Sequence, residues 1–481
     1  MLLKKLVKNL DVIKTVGDLN VDFVDVVTES AKSCPGSLFV CLTGKDVDGH
    51  NFAVQAVNYG AIAVVSEREI DVHAVQIIVK DTRKALSIIA SDYYGRAHEK
   101  LKIVGVTGTN GKTTTTHMIA DVLNGSGISA GIIGTIGTFY KDKFIEPTLT
   151  TPDPLTLHKT FFDMYESGVK VVVMEVSAHA LYWQKLSGIK FDVAIFTNFT
   201  RDHLDFFKDM QEYKNAKLKF FKEFTPNFII SNSDDEVGVE ITKLASNVIT
   251  YGVDNPADVF AIEIENSNNS TSFVMNLFDC IFNVETSFIG KFNVLNILAS
   301  CTAAALLGVK TKDIARNVVR LNPVKGRMEK VYSGDFSVYV DYAHTPDGLE
   351  QSLKALRPYC KNRLINVFGC GGNRDTGKRE KMGEISATLA DFSVITSDNP
   401  RFEDPMSIIR AVEKGLYDKS KDYVLIEWRE DGIRYAVNMA KKGDVILIAG
   451  KGGEEYQEIL GIKKPYNDKD TVMEILRELK L

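Results

Sequence analysis

The 481-residue chain has no CxxC pair and no cysteine–histidine cluster with zinc-ligand spacing; its six cysteines, Cys34, Cys41, Cys280, Cys301, Cys360 and Cys370, are scattered. This pattern argues against a zinc module and reads as reduced thiols. No apolar run is long enough to cross a bilayer, and the opening MLLKKLVKNLDVIKTV breaks its apolar residues with charge and lacks a small-residue cleavage site. The expectation is a cytoplasmic protein without membrane insertion. An excess of positive charge is missing too: 58 Lys and Arg against 63 Asp and Glu leave a net charge of −5, which gives no general electrostatic reason to bind nucleic acid. Internal repeats, low-complexity tracts and long linkers are absent. What remains is a globular composition, 44% hydrophobic and 25% charged. At about 150 residues per domain, the length suggests roughly three domains.

Three zones can be separated. Residues 1–95 hold short strand-like runs (Leu38-Phe39-Val40, 61–65, Ile77-Ile78-Val79) among polar turns, which suits a small α/β module ending near Gly95-Arg96-Ala97-His98. Residues 96–325 alternate strand-like runs at 103–106, 169–176 and 191–197 with helical patterns such as 208–223, which predicts a mostly parallel sheet covered by helices. Within that zone, 258–292 reads as an antiparallel hairpin around the polar turn Asn266-Ser267-Asn268-Asn269-Ser270. Residues 326–481 carry strand-like runs at 336–340, 364–368, 392–396, 423–427 and 444–449, the pattern of a second, smaller doubly wound unit.

The most informative stretch is Gly105-Val106-Thr107-Gly108-Thr109-Asn110-Gly111-Lys112-Thr113-Thr114, a glycine turn between a β-branched run and an amphipathic segment. Gly108 and Gly111 let backbone N–H groups approach phosphate oxygens, Lys112 neutralises charge, and Thr113 stands where a hydroxyl can hold Mg²⁺. The spelling departs from the usual phosphate loop, because Val106 occupies the position of its first glycine. The motifs GTNGKT, EVSAH, TNFTRDH, DYAHTP, GCGGNRD, SDNPR and AGKGGEE each follow a strand-like run. Ligands gather outside the carboxyl ends of strands in open α/β sheets, so two such sheets facing each other predict one cleft and a multi-substrate enzyme.

Each candidate also has an ordinary reading. Glu175, Asp202 and His203 could complete a Mg²⁺ shell, yet strand-end carboxylates and histidines equally serve as caps or turn residues. Lys217, one turn after Lys214, reads as part of a solvated lysine face. Asn293 reads as a helix cap, whereas Asn296 could present its amide to adenine. Arg374 and Arg401 suit a carboxylate-bearing ligand, with a structural salt bridge as the alternative. Cys370 reads as a small apolar thiol at a strand end.

Taken together, TGTNGKTTT, MEVSAH, FTNFTRDHLD, YKNAK, GKFNVLN, GRME, DYAHTP, GCGGNRD, DNPR and GKGGEEYQ resemble the Mur ligase family across almost the whole chain. The resemblance implies an α/β, three-domain protein: a small N-terminal domain for the UDP-MurNAc end of the substrate, a central phosphate-loop domain for ATP, and a Rossmann-like C-terminal domain for the amino acid. It implies ATP-dependent addition of meso-diaminopimelate to UDP-MurNAc-L-Ala-D-Glu through an acyl phosphate, in peptidoglycan precursor synthesis, by a monomer.

By position, the resemblance gives Gly108, Thr109, Asn110, Gly111, Lys112, Thr113 and Thr114 to ATP phosphates, and Asn296, Arg327 and Asp341 to adenine, phosphate and ribose. It gives Thr113, Glu175, His203 and Lys217, the last carbamylated, to Mg²⁺. Ser30, Thr150, Thr151, Ser177 and Lys185 fall on positions for the UDP-linked peptide, and Arg374, Asp398, Asn399, Arg401, Gly450 and Glu454 on those for the amino acid. DNPR matches the diaminopimelate type; Arg401 would repel the distal ammonium of lysine but pair with a distal carboxylate. The chain departs from the family pattern where Glu29-Ser30-Ala31 stands in place of Asp-Ser-Arg, where Lys185 replaces an arginine, and where Gly453 replaces a histidine. The rival readings are the same ligation with lysine or meso-lanthionine, folylpolyglutamate synthesis, and a nucleotide-driven switch.

Overall fold

A computed structural model describes all residues except 45, 46, 268, 269, 418, 420 and 421. Three sheets succeed one another along the chain. The first contains β1 (Val12–Val16), β2 (Asp25–Val27), β3 (Ser37–Val40), β4 (Ala63–Ser66) and β5 (Val75–Val79) in the order β1-β5-β4-β3-β2. Only the β1–β5 pair is antiparallel.

The second sheet has eleven strands: β6 (Lys102–Thr107), β7 (Ala130–Gly134), β8 (Gly137–Tyr140), β9 (Lys143–Ile145), β10 (Val171–Glu175), β11 (Val193–Phe196), β12 (Phe228–Asn232), β13 (Val248–Gly252), β14 (Val259–Ser267), β15 (Ser270–Leu277) and β16 (Cys280–Thr286). Their order is β16-β15-β14-β13-β12-β11-β6-β10-β7-β8-β9. The centre is parallel, and β8, β9, β15 and β16 add antiparallel edges. Central strands such as β7 and β10 are buried at every position because helices cover both faces. On one face the helices Lys112–Gly125 and Lys291–Leu306 contribute Met118, Ile119, Val122, Val294, Ile297 and Leu298; on the other, Pro154–Glu166 and Met210–Lys222 contribute Leu157, Phe161, Leu218 and Phe221. β6 lies between β10 and β11, so its carboxyl end opens where the chain departs to opposite sides.

The third sheet comprises β17 (Glu329–Ser333), β18 (Ser337–Asp341), β19 (Leu364–Phe368), β20 (Phe392–Thr396), β21 (Tyr423–Ile426) and β22 (Val445–Ala449), ordered β17-β18-β22-β19-β20-β21. It is parallel apart from β17 and has core on both faces. A hairpin of β23 (Tyr456–Ile459) and β24 (Ile462–Pro465) follows.

One expectation needs correction. The region 258–292 is attached to the central unit as expected, but it holds three strands rather than a two-stranded hairpin, continuing the central sheet from β13 and followed by the first residues of the helix Lys291–Leu306. Alternation of apolar residues reveals strands but not their number or the sheet they join. Asn268 and Asn269 of the expected turn lie outside the described residues.

Candidate active site

The seven polar motifs all leave the carboxyl ends of β6, β10, β11, β18, β19, β20 and β22. At β6 the chain turns through Gly108 (φ 152°) and Gly111 (φ 84°) into the helix Lys112–Gly125. A Cβ on Gly108 would lie 1.9 Å from Thr197 Oγ1, and one on Gly111 2.7 Å from Asn296 Oδ1, so both the backbone angles and the space require glycine. Asn198 holds the loop by accepting from the Asn110 N–H at 2.8 Å through its side chain and from the Thr109 N–H at 2.9 Å through its carbonyl. Thr109 Oγ1 donates to the Thr200 carbonyl at 3.2 Å, and Asn110 Nδ2 donates to Asp347 at 2.9 Å. Thr114 is buried. The Lys112 ammonium folds back over the loop, donating to the carbonyls of Gly108 (2.9 Å) and Thr109 (2.8 Å), and burial lowers its pKa.

Thr113 Oγ1 donates to Glu175 Oε1 at 2.9 Å and accepts from Arg327 Nη2 at 2.9 Å. Glu175 also accepts from the Thr135 N–H at 2.8 Å and hydroxyl at 3.0 Å. Thr135 was not singled out in the sequence; its position after β7 was the available signal. Thr150 Oγ1 lies 3.1 Å from Thr135 Oγ1, while Thr151 donates to the Glu175 carbonyl at 2.8 Å and accepts from the Ser177 N–H at 3.0 Å. Thr150, Thr151, Ser177 and Glu175 thus form one polar wall beside the phosphate loop.

The solvated-face reading of Lys217 is wrong. Its helix turns Lys217 inward, 2% exposed, over the Tyr213 ring at 4.6 Å, where Nζ donates to the Gly108 carbonyl at 2.7 Å. Burial, reinforced by Lys112, pushes its pKa well below the ordinary lysine value. Lys214 points elsewhere, to Glu240 at 3.0 Å. His203, with φ 56°, is lowered to about 3 chiefly by burial. Its Nε2 lies 3.3 Å from Asp202, and its ring packs edge-on against His179, which the sequence reading passed over. Asp202 is held well below the usual carboxylate range: burial opposes this, and His344 and His203 outweigh it. Among the described residues, no three His, Cys, Asp or Glu side chains form a ready metal cluster.

The capping reading of Asn293 also fails. Gly290 is the N-cap, and Asn293, already inside the helix, donates to the Ile289 carbonyl at 2.9 Å. Its Oδ1 accepts from Asn296 Nδ2 at 3.2 Å, and Asn296 Oδ1 accepts from Thr115 at 3.2 Å, so the Asn296 amide is engaged at the seam between two helices. Asp341 is buried and accepts from Ser352 at 2.6 Å and the Met328 N–H at 3.0 Å; burial raises its pKa. Arg327 stacks on Tyr342, 4.1 Å from the ring centre.

In the third sheet, Arg401 takes φ 54° and donates through Nε to Glu458 at 3.1 Å and through Nη1 to the Gly372 carbonyl at 2.8 Å. The salt-bridge alternative therefore holds for Nε, Nη1 is bonded to a backbone carbonyl, and Nη2 has no acceptor among the described residues. Arg374 is half exposed and lies 3.6 Å from Asp205. Asn399 donates to Glu454 at 3.0 Å and accepts from Lys451 at 3.0 Å; Lys451 also pairs with Glu454 at 2.8 Å. Asp398 approaches Gly450 closely and stays below the usual carboxylate range: burial opposes this, and Lys451 and Arg429 outweigh it. Arg429 in turn forms a fully buried fork with Asp468 at 2.7 and 2.8 Å and donates to the Ala449 carbonyl at 2.9 Å. Cys370 is buried with Sγ 3.6 Å from Met382 Sδ, and burial pushes its thiol up to about 11, as suits an inert apolar thiol.

The second and third sheets meet through these loops. Besides Arg327 on Thr113 and Asn110 on Asp347, Arg201 grips Asp375 at 3.0 and 3.2 Å and His344 comes within 3.7 Å of Asp202. The first sheet's unit joins the second through Ser87, which donates to the carbonyls of Lys185 (3.0 Å) and Ser187 (2.8 Å), and through Arg83, 3.9 Å above the Trp183 ring. Lys185 is half-buried, which lowers its pKa. Ser30 sits on the first sheet's unit and donates to Gln55 at 2.7 Å, in no direct contact with the groups around the phosphate loop.

Comparison with known proteins follows this division. Three family models match: one described as Mur ligase family, catalytic domain, over residues 23–94; the Mur ligase middle domain over 106–304; and the Mur ligase glutamate ligase domain over 326–452. The UDP-N-acetylmuramoyl-L-alanyl-D-glutamate–2,6-diaminopimelate ligase of Geobacillus thermodenitrificans is 44% identical over 449 residues, covering 92% of both chains. A Clostridium acetobutylicum protein of the same name, numbered 1, is 42% identical over the full length of both. A solved structure of a ligase with that name superposes with a TM-score of 0.73 at 30% identity, covering 100% of this chain and 99% of the other. The MurF ligase of Thermotoga maritima in complex with ADP shares the fold alone, with a TM-score of 0.63 at 21% identity over 96% of this chain and 99% of its own. Matched from the first sheet to the third, with the phosphate loop at the junction of the latter two, the chain belongs to the Mur ligase family.

Proposed function

We propose that this chain is the ATP-dependent ligase that joins meso-diaminopimelate to the D-glutamyl γ-carboxylate of UDP-MurNAc-L-Ala-D-Glu, acting as a cytoplasmic monomer in peptidoglycan precursor synthesis. The observation that carries this reading is the meeting of the strand-end loops of the second and third sheets, with Arg327 hydrogen-bonded to Thr113. The reading divides the chain into a UDP-MurNAc unit at 1–95, an ATP unit at 96–325 and an amino-acid unit at 326–481.

In this scheme the loop 108–114 and Lys112 cradle the nucleotide phosphates, and Arg327 steadies them from the third sheet. Asn296 and Asp341 receive adenine and ribose. A threonine hydroxyl beside a carboxylate is the hard-oxygen donor set that suits Mg²⁺, and the glycine cradle leaves room for phosphate next to it. Thr113, Glu175, His203 and Lys217 would hold the metal. When bound, Mg²⁺ neutralises charge on phosphoryl oxygens. Lys217 is suited to become a carbamate, since burial favours its neutral amine and the neutral amine is what adds CO₂. Ser30, Thr150, Thr151, Ser177 and Lys185 bind and orient the UDP-linked dipeptide.

The D-glutamyl carboxylate attacks the γ-phosphorus and ADP leaves; the amine of diaminopimelate then attacks the acyl carbon and phosphate leaves. Positioning and charge neutralisation supply most of the rate, and loop contact across the cleft keeps water from the acyl phosphate. Arg374, Asp398, Asn399, Gly450 and Glu454 bind the amino acid, and the unengaged Nη2 of Arg401 supports a distal carboxylate as its partner. The test is phosphate release with ATP, UDP-MurNAc-L-Ala-D-Glu and, in turn, meso-diaminopimelate, meso-lanthionine or lysine. Release is expected with diaminopimelate and only when all three substrates are present. Preference for lysine overturns the assigned specificity, and ATP hydrolysis without the muramoyl substrate overturns the ligase reading in favour of a switch.

A further inference from the structure

The Asp398–Arg401 loop after β20 is tied down by the β23–β24 hairpin. The Arg401 N–H donates to the Glu458 carbonyl at 3.1 Å and the Leu460 N–H to the Arg401 carbonyl at 2.7 Å, a parallel bridge that sets Arg401 alongside Ile459. Gln457 Nε2 donates to the Asp398 carbonyl at 2.6 Å, and the Glu458 N–H to Asn399 Oδ1 at 2.9 Å. These bonds hold a backbone that is strained by itself, since Arg401 sits at φ 54°.

The Arg401 side chain is held from the same strand. Glu458 Oε2 accepts from Arg401 Nε at 3.1 Å, and the two side chains are only 21% and 17% exposed, so the pair is shielded from much of the solvent that weakens ion pairs at a surface. Nη1 donates to the Gly372 carbonyl at 2.8 Å and lies 3.0 Å from where a Cβ on Gly371 would stand, so glycine there leaves room for the guanidinium. Arg374 Cγ and the Asn399 carbonyl border the same spot, at 3.7 and 3.9 Å. Two bonds thus fix the plane of the guanidinium among the residues assigned above to the amino acid, and neither uses Nη2.

We infer, on the ligase reading above, that Glu458 is a positioning residue for amino-acid choice: by gripping Arg401 through Nε it aims the guanidinium edge bearing Nη2 at the distal carboxylate of the incoming amino acid. An arginine is long and free to rotate, and its fork matches a carboxylate only in one orientation. A second anchor within the chain removes that ordering cost before the ligand arrives. Glu458 acts through Arg401 and does not itself touch the ligand.

The experiment uses the full-length chain with Glu458→Ala, Glu458→Met, which fills the space without an acceptor oxygen, and Glu458→Gln, which keeps one; the first two are also made in an Arg401→Ala background. Backbone groups and Gln457 make the other bonds to the loop, so all are expected to fold, which a thermal melt checks. In Glu458→Ala and Glu458→Met the KM for meso-diaminopimelate is expected to rise about tenfold, with kcat and the KM values for ATP and the muramoyl dipeptide within about twofold of wild type. The preference for diaminopimelate over lysine in kcat/KM should shrink by a similar factor, and Glu458→Gln should recover most of the loss. In the Arg401→Ala background neither substitution should raise that KM further, because the effect passes through the arginine. An unchanged KM for diaminopimelate overturns the inference. So does an equal rise in both backgrounds, or a rise in Glu458→Ala alone, since these mark lost packing of the hairpin. If wild type releases no phosphate with all three substrates, the ligase reading fails instead, and the grip on Arg401 is decided without turnover. The NMR signal of the Arg401 Nε–H, identified by its loss in Arg401→Ala, should then exchange with solvent faster in Glu458→Met than in wild type; equal rates would show that Glu458 does not hold the guanidinium.

Discussion

A lysine amine in water is a cation; in the wall of this cleft the Lys217 amine is pressed toward neutrality by burial and by its neighbour Lys112. That change of state decides what chemistry the residue can do, because only the unprotonated amine can add CO₂ and become an anionic ligand. Lys217→Ala should therefore lose at least a hundredfold in kcat while retaining its fold, and regain part of the activity when short carboxylates are added in place of the missing carbamate. Phosphate-release rates with and without added carboxylate check this; full activity in the unsupplemented variant rules out the role. The YKNAK spelling alone could not distinguish this residue from Lys214, which one turn away pairs with Glu240 near the surface. Local sequence gives both lysines the same helix; the packing of Tyr213 and the course of the phosphate loop assign one to the interior.

The phosphate loop depends on the contact between two helices, Lys112–Gly125 and Lys291–Leu306. Gly111 lies where the second helix brings Asn296 to within 2.7 Å of the place a Cβ would occupy. An alanine there must adopt φ near 84°, costing about 1–2 kcal/mol for the left-handed backbone, and must also displace Asn296 from Thr115. Gly111→Ala should raise KM for ATP at least tenfold and lower the unfolding temperature by several degrees. Titrating nucleotide in the release assay and a thermal melt measure the two effects; an unchanged KM would mean that the loop tolerates the shift. The glycine turn and the helix that follows it were legible from spacing because the requirement is local. The bonds of Asn293 to the Ile289 carbonyl, of Asn296 to Thr115 on a neighbouring helix, and of the two amides to each other were not, because no spacing reveals them. Likewise alternation marks strands at 259–286 but not that there are three of them, which only their pairing with one another and onto β13 decides.

At the scale of the whole molecule, a buried histidine pair of the second unit lies just past its boundary with the first, where Ser91 Oγ is 3.4 Å from His98 Nδ1. His98 follows the helix Thr82–Tyr93, and His158 lies on Pro154–Glu166; their ring centres are 5.1 Å apart. His158 is 1% exposed, its Nε2 has no hydrogen-bond partner among the described residues, and burial lowers its pKa from the ordinary 6.5 to about 3. The unfolded chain takes up this proton near 6.5, whereas the folded chain refuses it until about 3. Between those values the unfolded state holds more protons, so the stability present above 6.5 is lost progressively as pH falls, at up to about 1.4 kcal/mol per pH unit from this group. His158→Phe should flatten the decline of the urea midpoint between pH 7 and pH 5. Parallel titrations of wild type and variant would check it, and equal slopes would assign the acid sensitivity elsewhere.

The sequence by itself determined the α/β alternation, the glycine turn and the placing of polar motifs after strands, since each follows from hydrophobic period, turn chemistry and chain order over a few residues. Tertiary structure alone decided which lysines lose water, that Arg401 shares its charge with Glu458 and that Arg327 reaches Thr113 across 214 residues of chain. Those outcomes depend on distance in space and on the shielding of charge from solvent. Both quantities arise only when separate sheets pack against one another.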